Sequence, residues 1–180
     1  DKGDILGTIA FPNVTLRIVD PVNGDQLTPG EVGEIWVRSD QLMKGYWKNP
    51  EATAETLNSD GWLRTGDAGY LSEDGYLFIT DRIKDMIISG GENVYPVELE
   101  NVLMSHPAIA DVAVIGVPSE RWGETPKAIV VLANEMPTTG EEILDYCRDQ
   151  IARYKCPTSV DFIDELPRGG RGTSMKSVAL

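Results

Sequence analysis

A β-rich unit over residues 1–82 followed by a small α+β domain over residues 83–180 is the fold class the sequence predicts, on three observations. The first eighty residues are short runs of alternating polar and apolar side chains, cut at close intervals by Gly, Pro and Asp. After Asp81 helical periodicities begin to interleave with β-branched runs, the texture of a compact α+β domain of about a hundred residues. The chain is 41% hydrophobic and 25% charged, a globular balance, and its 180 residues suffice for one ordinary domain or two small ones. Neither an internal repeat nor a low-complexity segment interrupts it.

The elements follow in order. Thr15-Leu16-Arg17-Ile18-Val19 and Glu34-Ile35-Trp36-Val37-Arg38 alternate in the manner of half-buried strands. Asn23-Gly24, Pro29-Gly30 and Asp74-Gly75 are turn signals between such runs. Residues 50–57 read as one short helix, and Tyr76-Leu77-Phe78-Ile79-Thr80 as another strand. A unit of this size, built from short strands, is too open to be comfortable alone. Met86-Ile87-Ile88 then forms a brief strand ending at Ser89-Gly90-Gly91. Pro96 suits the first position of a helix, where a missing N–H costs nothing, and Leu99, Val102 and Leu103 supply that helix's buried side. Residues 110–117 and 128–132 are β-branched runs fit for buried strands. Thr139 and Glu142 have capping-box spacing ahead of a helix with the stripe Ile143, Leu144, Cys147 and Ile151. Residues 159–163 make a last strand before a Gly/Arg-rich tail.

Charge and composition exclude several functions. A net charge of −13 opposes nucleic-acid binding, because a phosphate backbone is repelled before local contacts form. A small anionic ligand needs only a local cluster of donors and is not excluded. No apolar run approaches the roughly 20 residues that span a bilayer, and Asp1-Lys2-Gly3-Asp4 lacks the pattern of a signal peptide. Cys147 and Cys156 have neither metal spacing nor a disulfide framework, and Cys147 on an apolar stripe reads as a buried thiol. A cytoplasmic protein, with at most a peripheral attachment to membrane, is the expectation.

Three segments carry chemistry. In Gly61-Trp62-Leu63-Arg64-Thr65-Gly66-Asp67, a short carboxylate behind a Thr-Gly turn can accept two hydrogen bonds from a vicinal diol such as a ribose. The competing reading is an ordinary turn, for which Gly and Asp are the usual residues. Asp81-Arg82-Ile83-Lys84-Asp85 puts two cations at the junction between the two units, and a guanidinium forks readily onto a hydroxyl or phosphate oxygen. A solvated charge cluster is the alternative. Ser89-Gly90-Gly91-Glu92-Asn93-Val94-Tyr95-Pro96 continues directly from there.

Together these segments resemble the core motifs of the adenylate-forming superfamily: acyl- and aryl-CoA synthetases, luciferases and peptide-synthetase adenylation domains. The resemblance runs from Gly7 to about Pro167 and includes Gly45-Tyr46-Trp47 and Arg121-Trp122-Gly123-Glu124. Gly91-Glu92-Asn93-Val94-Tyr95-Pro96 is similar to the acyl-CoA synthetase and luciferase branch. The resemblance implies that residues 1–82 are the last subdomain of a larger AMP-binding domain, of distorted β-barrel type, and that residues 83–180 are its mobile C-terminal lid.

It implies a two-step reaction in which a carboxylic acid, a fatty acid above all, attacks ATP to give an acyl-adenylate, and coenzyme A then displaces AMP. Asp67 would hold the ribose hydroxyls, Arg82 would contact ribose or phosphate, and Ile79 would line the nucleoside. Lys84 occupies the family's hinge position. Ser89, Gly90 and Gly91 would lie along the pantetheine arm, and Trp122, Tyr154 and Lys155 match positions that line the nucleotide of coenzyme A in some members. For Trp122 core packing is an equal reading, and for Lys155 simple solvation. Magnesium would be held upstream of this chain, as would the phosphate loop, so the chain is expected to be a fragment inactive alone. The parent is allowed a homodimer.

One departure stands out. Family members close with a lysine that contacts the reacting carboxylate and α-phosphate. Aligning Leu166-Pro167-Arg168 and Gly172 with the family's closing pattern puts Thr173 at that place, with Lys176 a weak substitute. The rival readings are an aryl-CoA ligase, a luciferase-like or peptide-synthetase module, or a lid without catalytic function that serves a structural or regulatory role.

Overall fold

The computed structural model describes residues 5–8, 13–133 and 136–167. The chain divides into two compact units, Asp1–Lys84 and Asp85–Leu180.

The first unit is an antiparallel sheet of five strands in the order β1-β5-β4-β3-β2, with β1 Ile5–Thr8, β2 Val14–Val19, β3 Gly33–Ser39, β4 Leu63–Leu71 and β5 Tyr76–Arg82. The alternation in β2 and β3 sets their register. Leu16 pairs with Val37 and Ile18 with Ile35, while Arg17 pairs with Trp36 on the other face. Ile18 and Ile35 are buried. The face expected to be polar is covered by stacked cations and indoles: the Arg17 guanidinium lies 4.5 Å from the Trp36 ring centre and 4.1 Å from that of Trp62. Between β3 and β4 runs a short helix, α1 Pro50–Thr56, whose Asn49 cap accepts a hydrogen bond from the Ala52 amide at 3.0 Å. Tyr70 stacks on Phe78 across β4 and β5 with ring centres 4.9 Å apart.

Two expectations for this unit need correction. The sheet is not a closed barrel among the described residues, because β1 and β2 stand at opposite edges and closure requires hydrogen bonds between them. Thr65 to Asp67 do not form a turn between elements; they lie inside β4.

The second unit begins within a 3₁₀ turn, Ile83–Asp85. Its strands are β6 Ile87–Ser89, β7 Glu92–Val94, β8 Ile109–Ser119, β9 Gly123–Leu132 and β10 Ser159–Phe162. β8 and β9 form a long antiparallel hairpin, β10 runs parallel to β9, and β6 joins β9 at the pair Ser89 and Gly123. Helices α2 Pro96–Met104 and α3 Gly140–Gln150 supply Leu99, Leu103, Ile143 and Cys147 to one cluster with Val112, Val114, Ala128 and Val130 of the hairpin. Pro96 opens α2 as expected. The α3 capping box is complete: the Glu142 amide donates to the Thr139 hydroxyl, and the Thr139 amide to the Glu142 carboxylate at 2.8 Å. No helix is long and apolar enough to cross a membrane among the described residues.

Candidate functional site

The first unit presents Asp67 on a local distortion of the sheet. Trp36 pairs with Arg64 and Glu34 with Ala68, so Ile35 alone on β3 faces Thr65, Gly66 and Asp67 on β4. The excess residues bulge outward. Gly66 takes φ +73°, a left-handed backbone that favours glycine, and an added Cβ there would meet nothing within 4 Å. The glycine is therefore required by conformation and not by crowding. Thr65 ties the bulge down: its hydroxyl donates to the Ile35 carbonyl at 2.8 Å and accepts from the Asp67 amide at 3.1 Å.

On its other side Asp67 pairs with Arg82 of β5. The Arg82 Nε lies 3.5 Å from Asp67 Oδ1, with the two side chains 66% and 33% exposed. An ion pair this open adds little to stability, and both groups keep hydrogen-bonding capacity toward solvent or a ligand. Ile79, also on β5, is exposed. Lys84 is exposed too and is the last residue of its unit. Two residues near this bulge were not singled out from sequence. Glu34 is 3% exposed and holds its carboxylate between Trp36 Nε1 at 2.8 Å and Arg64 Nε at 3.1 Å. Thr65 was read only as part of a turn. Alternation within one strand does not mark Glu34, because its burial is supplied by Arg64 of the neighbouring strand and by Trp36.

The second unit presents a glycine hairpin. Ser89 pairs with Glu92, and Gly90 and Gly91 between them have φ +62° and +90°. Left-handed backbone at both central residues is the mark of a two-residue type I′ turn. The Gly90 amide donates to the Trp122 carbonyl at 2.9 Å, and a Cβ on Gly90 would come 2.8 Å from Trp122 Cε3. The indole is 44% exposed and carries the Arg121 guanidinium 4.4 Å from its ring centre. Core packing is thus excluded for Trp122, which sits at the turn of the β8–β9 hairpin against the glycine turn.

Tyr154 and Lys155 lie elsewhere in this unit, after α3. Tyr154 is exposed. Lys155 is not simply solvated, since its Nζ donates to both carboxylate oxygens of Glu98, each at 2.8 Å. Cys147 and Cys156 are buried, and desolvation together with the neighbouring Cys156 pushes the Cys147 thiol up to about 12. Such a thiol is no nucleophile near neutral pH. Among the described residues no group of His, Cys, Asp and Glu could hold a metal ion. Thr173 and Lys176 lie outside the described residues.

Comparison with known proteins places these features in context. The model of the AMP-binding enzyme family matches residues 2–47, and that of the AMP-binding enzyme C-terminal domain matches residues 98–173. A feruloyl-CoA synthase of Amycolatopsis sp is 48% identical over 173 residues, covering 95% of this chain and 35% of the relative. The long-chain-fatty-acid–CoA ligase FadD13 of Mycobacterium tuberculosis is 49% identical over 168 residues, covering 93% and 32%. The crystal structure of ATP-bound MatB from Rhodopseudomonas palustris superimposes with a TM-score of 0.85 at 39% identity, over 97% of this chain and 34% of that one. The chain therefore spans about a third of the length of the relatives it matches.

Proposed function

Because this chain belongs to the AMP-binding, adenylate-forming enzymes and covers their C-terminal portion, we propose that its parent is an AMP-forming acid–thiol ligase. The parent joins a carboxylic acid to coenzyme A through an acyl-adenylate. A free carboxylate resists attack by a thiol, whereas AMP is a competent leaving group. The first step therefore forms the bond from carboxylate oxygen to α-phosphorus and releases pyrophosphate. In the second the coenzyme A thiol forms the thioester and AMP departs.

The observation that supports this best is the Asp67–Arg82 pair, a carboxylate on the bulge of β4 and a guanidinium on β5 beside it, with both groups open. Asp67 accepts hydrogen bonds from the two ribose hydroxyls, and Arg82 donates to a ribose or phosphate oxygen. Ile79 supplies apolar surface to the nucleoside. Lys84 is the pivot about which the second unit turns between the two steps, a change absorbed by few torsions. The glycine turn at Ser89, Gly90 and Gly91 then borders the pantetheine arm, with Trp122 beneath it. Tyr154 and Lys155 meet the nucleotide of coenzyme A, and Lys155 must exchange its Glu98 partner to do so. Magnesium, which neutralises the departing phosphates in such reactions, finds no fitting cluster among the described residues and would be held by the upstream part of the parent.

The acid is a fatty acid in the first reading and an aryl acid in the second; 49% identity to a long-chain-fatty-acid–CoA ligase and 48% to a feruloyl-CoA synthase support the two alike. The parent acts in the cytoplasm, and the net charge of −13 carried by this portion opposes a nucleic-acid partner here. The test is acid-dependent ATP–pyrophosphate exchange by the parent protein across fatty, aryl and dicarboxylic acids. One class should support exchange, and Asp67→Ala should lower ATP affinity by at least about tenfold, the worth of one charge-assisted hydrogen bond. An unchanged affinity removes Asp67 from the site. Thr173 stands where the family's lysine meets the reacting phosphate, and a hydroxyl cannot supply a cation there. Thr173→Lys should therefore raise exchange by about 10²–10³-fold; no change would place the functional lysine elsewhere, Lys176 being the first alternative.

A further inference from the structure

We propose that Thr65 is a positioning residue for Asp67, whose hydroxyl sets where the carboxylate stands and thereby whether a ribose diol is recognised. The inference rests on the reading of Asp67 as the ribose contact.

Apart from Glu34, which ties Arg64 at the foot of the bulge to β3, little else fixes the position of Asp67 itself. Gly66 is conformationally permissive, and no atom within 4 Å crowds its Cβ direction. The Arg82 contact at 3.5 Å joins two partly exposed side chains, and a ligand would compete for both. By contrast, the Thr65 hydroxyl bridges two backbone groups. It donates to the carbonyl of Ile35, a buried residue of β3, and accepts from the amide of Asp67 itself. Since Ile35 is the residue that faces the bulge across the register shift, this single hydroxyl measures the height of Asp67 above the strand. A misplacement of about 1 Å suffices to spoil a two-point hydrogen bond to a diol.

Valine has the shape of threonine without the hydroxyl. It leaves the Ile35 carbonyl and the Asp67 amide without this partner, so the bulge relaxes. Serine keeps the bridge. The experiment compares binding of ATP and 2′,3′-dideoxy-ATP to the full-length parent, because only the first carries the diol. A general loss of structure weakens both nucleotides alike, whereas misplacing Asp67 weakens ATP alone. In Thr65→Val the preference for ATP should fall about tenfold, and Thr65→Ser should retain it to within about threefold. If valine prevents folding, Thr65→Ala removes the hydroxyl without adding a branched apolar group and is read the same way. A preference that survives loss of the hydroxyl while Asp67→Ala abolishes it overturns the role of Thr65 and leaves the ribose reading intact. A preference that survives Asp67→Ala overturns both.

Discussion

The bulge in β4 and the glycine hairpin of β6 and β7 are each the chemically suggestive loop of their unit, yet they keep their shapes by opposite means. The bulge is an irregularity inside a strand, held by side-chain hydrogen bonds from Thr65 and by the buried Glu34 between Trp36 and Arg64. The hairpin is a regular two-residue turn whose shape is written into the backbone of Gly90 and Gly91. From outside, the Trp122 carbonyl accepts from the Gly90 amide and the Trp122 indole lies in the Cβ direction of Gly90, whereas nothing within 4 Å lies in that of Gly91. A shape held by side chains depends on residues distant in sequence, and Arg64 reaches Glu34 across 30 positions. A shape held by φ angles depends on two consecutive residues.

The contrast is broken most forcefully on the bulge side. Arg64→Ala leaves the Glu34 carboxylate, which is 3% exposed, with the Trp36 N–H as its one hydrogen-bond partner among the described residues. Removing one member of a buried ion pair costs about 3–5 kcal/mol, and the 43% exposure of the Arg64 side chain places this case at the lower end, about 3 kcal/mol. Chemical unfolding of the parent followed by tryptophan fluorescence measures it, since Trp36 lies in the affected sheet and Trp62 stacks on its Arg17. A loss below about 1 kcal/mol would mean that water or another group compensates Glu34, and that the bulge is not held from this side.

How much of each region is legible in the sequence follows from the same contrast. The runs 15–19 and 34–38 announce themselves because side-chain alternation is the pleat itself, and the register later pairs Leu16 with Val37 and Ile18 with Ile35. Thr139 and Glu142 are legible because a capping box closes within four residues. β4 is hidden: Thr65-Gly66-Asp67 breaks its alternation, and the residues read locally as a turn. The role of Asp67 is suggested by a short carboxylate behind Thr-Gly and by resemblance, whereas its placement opposite Arg82 is a property of inter-strand register that no local pattern encodes. The same holds for Trp122, whose aromatic character suggested core packing until the β8–β9 hairpin set it beside Gly90. What is local was readable. What needs a second strand was not.

The hairpin side gives the smaller and sharper test, because its two glycines separate conformation from contact. An alanine at either position must adopt positive φ, a strain of about 1 kcal/mol for an L residue. At Gly90 the new methyl group also meets Trp122 Cε3 at 2.8 Å, so the indole has to move and overpacking adds about 1 kcal/mol more. Gly90→Ala should therefore cost about 2 kcal/mol and Gly91→Ala about 1, measured by the same unfolding experiment. Truncating the indole in the background of Gly90→Ala, as a Trp122→Ala double variant, should bring its cost down to that of Gly91→Ala, because only the φ strain remains. If instead the two single variants cost the same from the start, the indole yields freely, and Trp122 is a surface that the turn passes over and does not depend on.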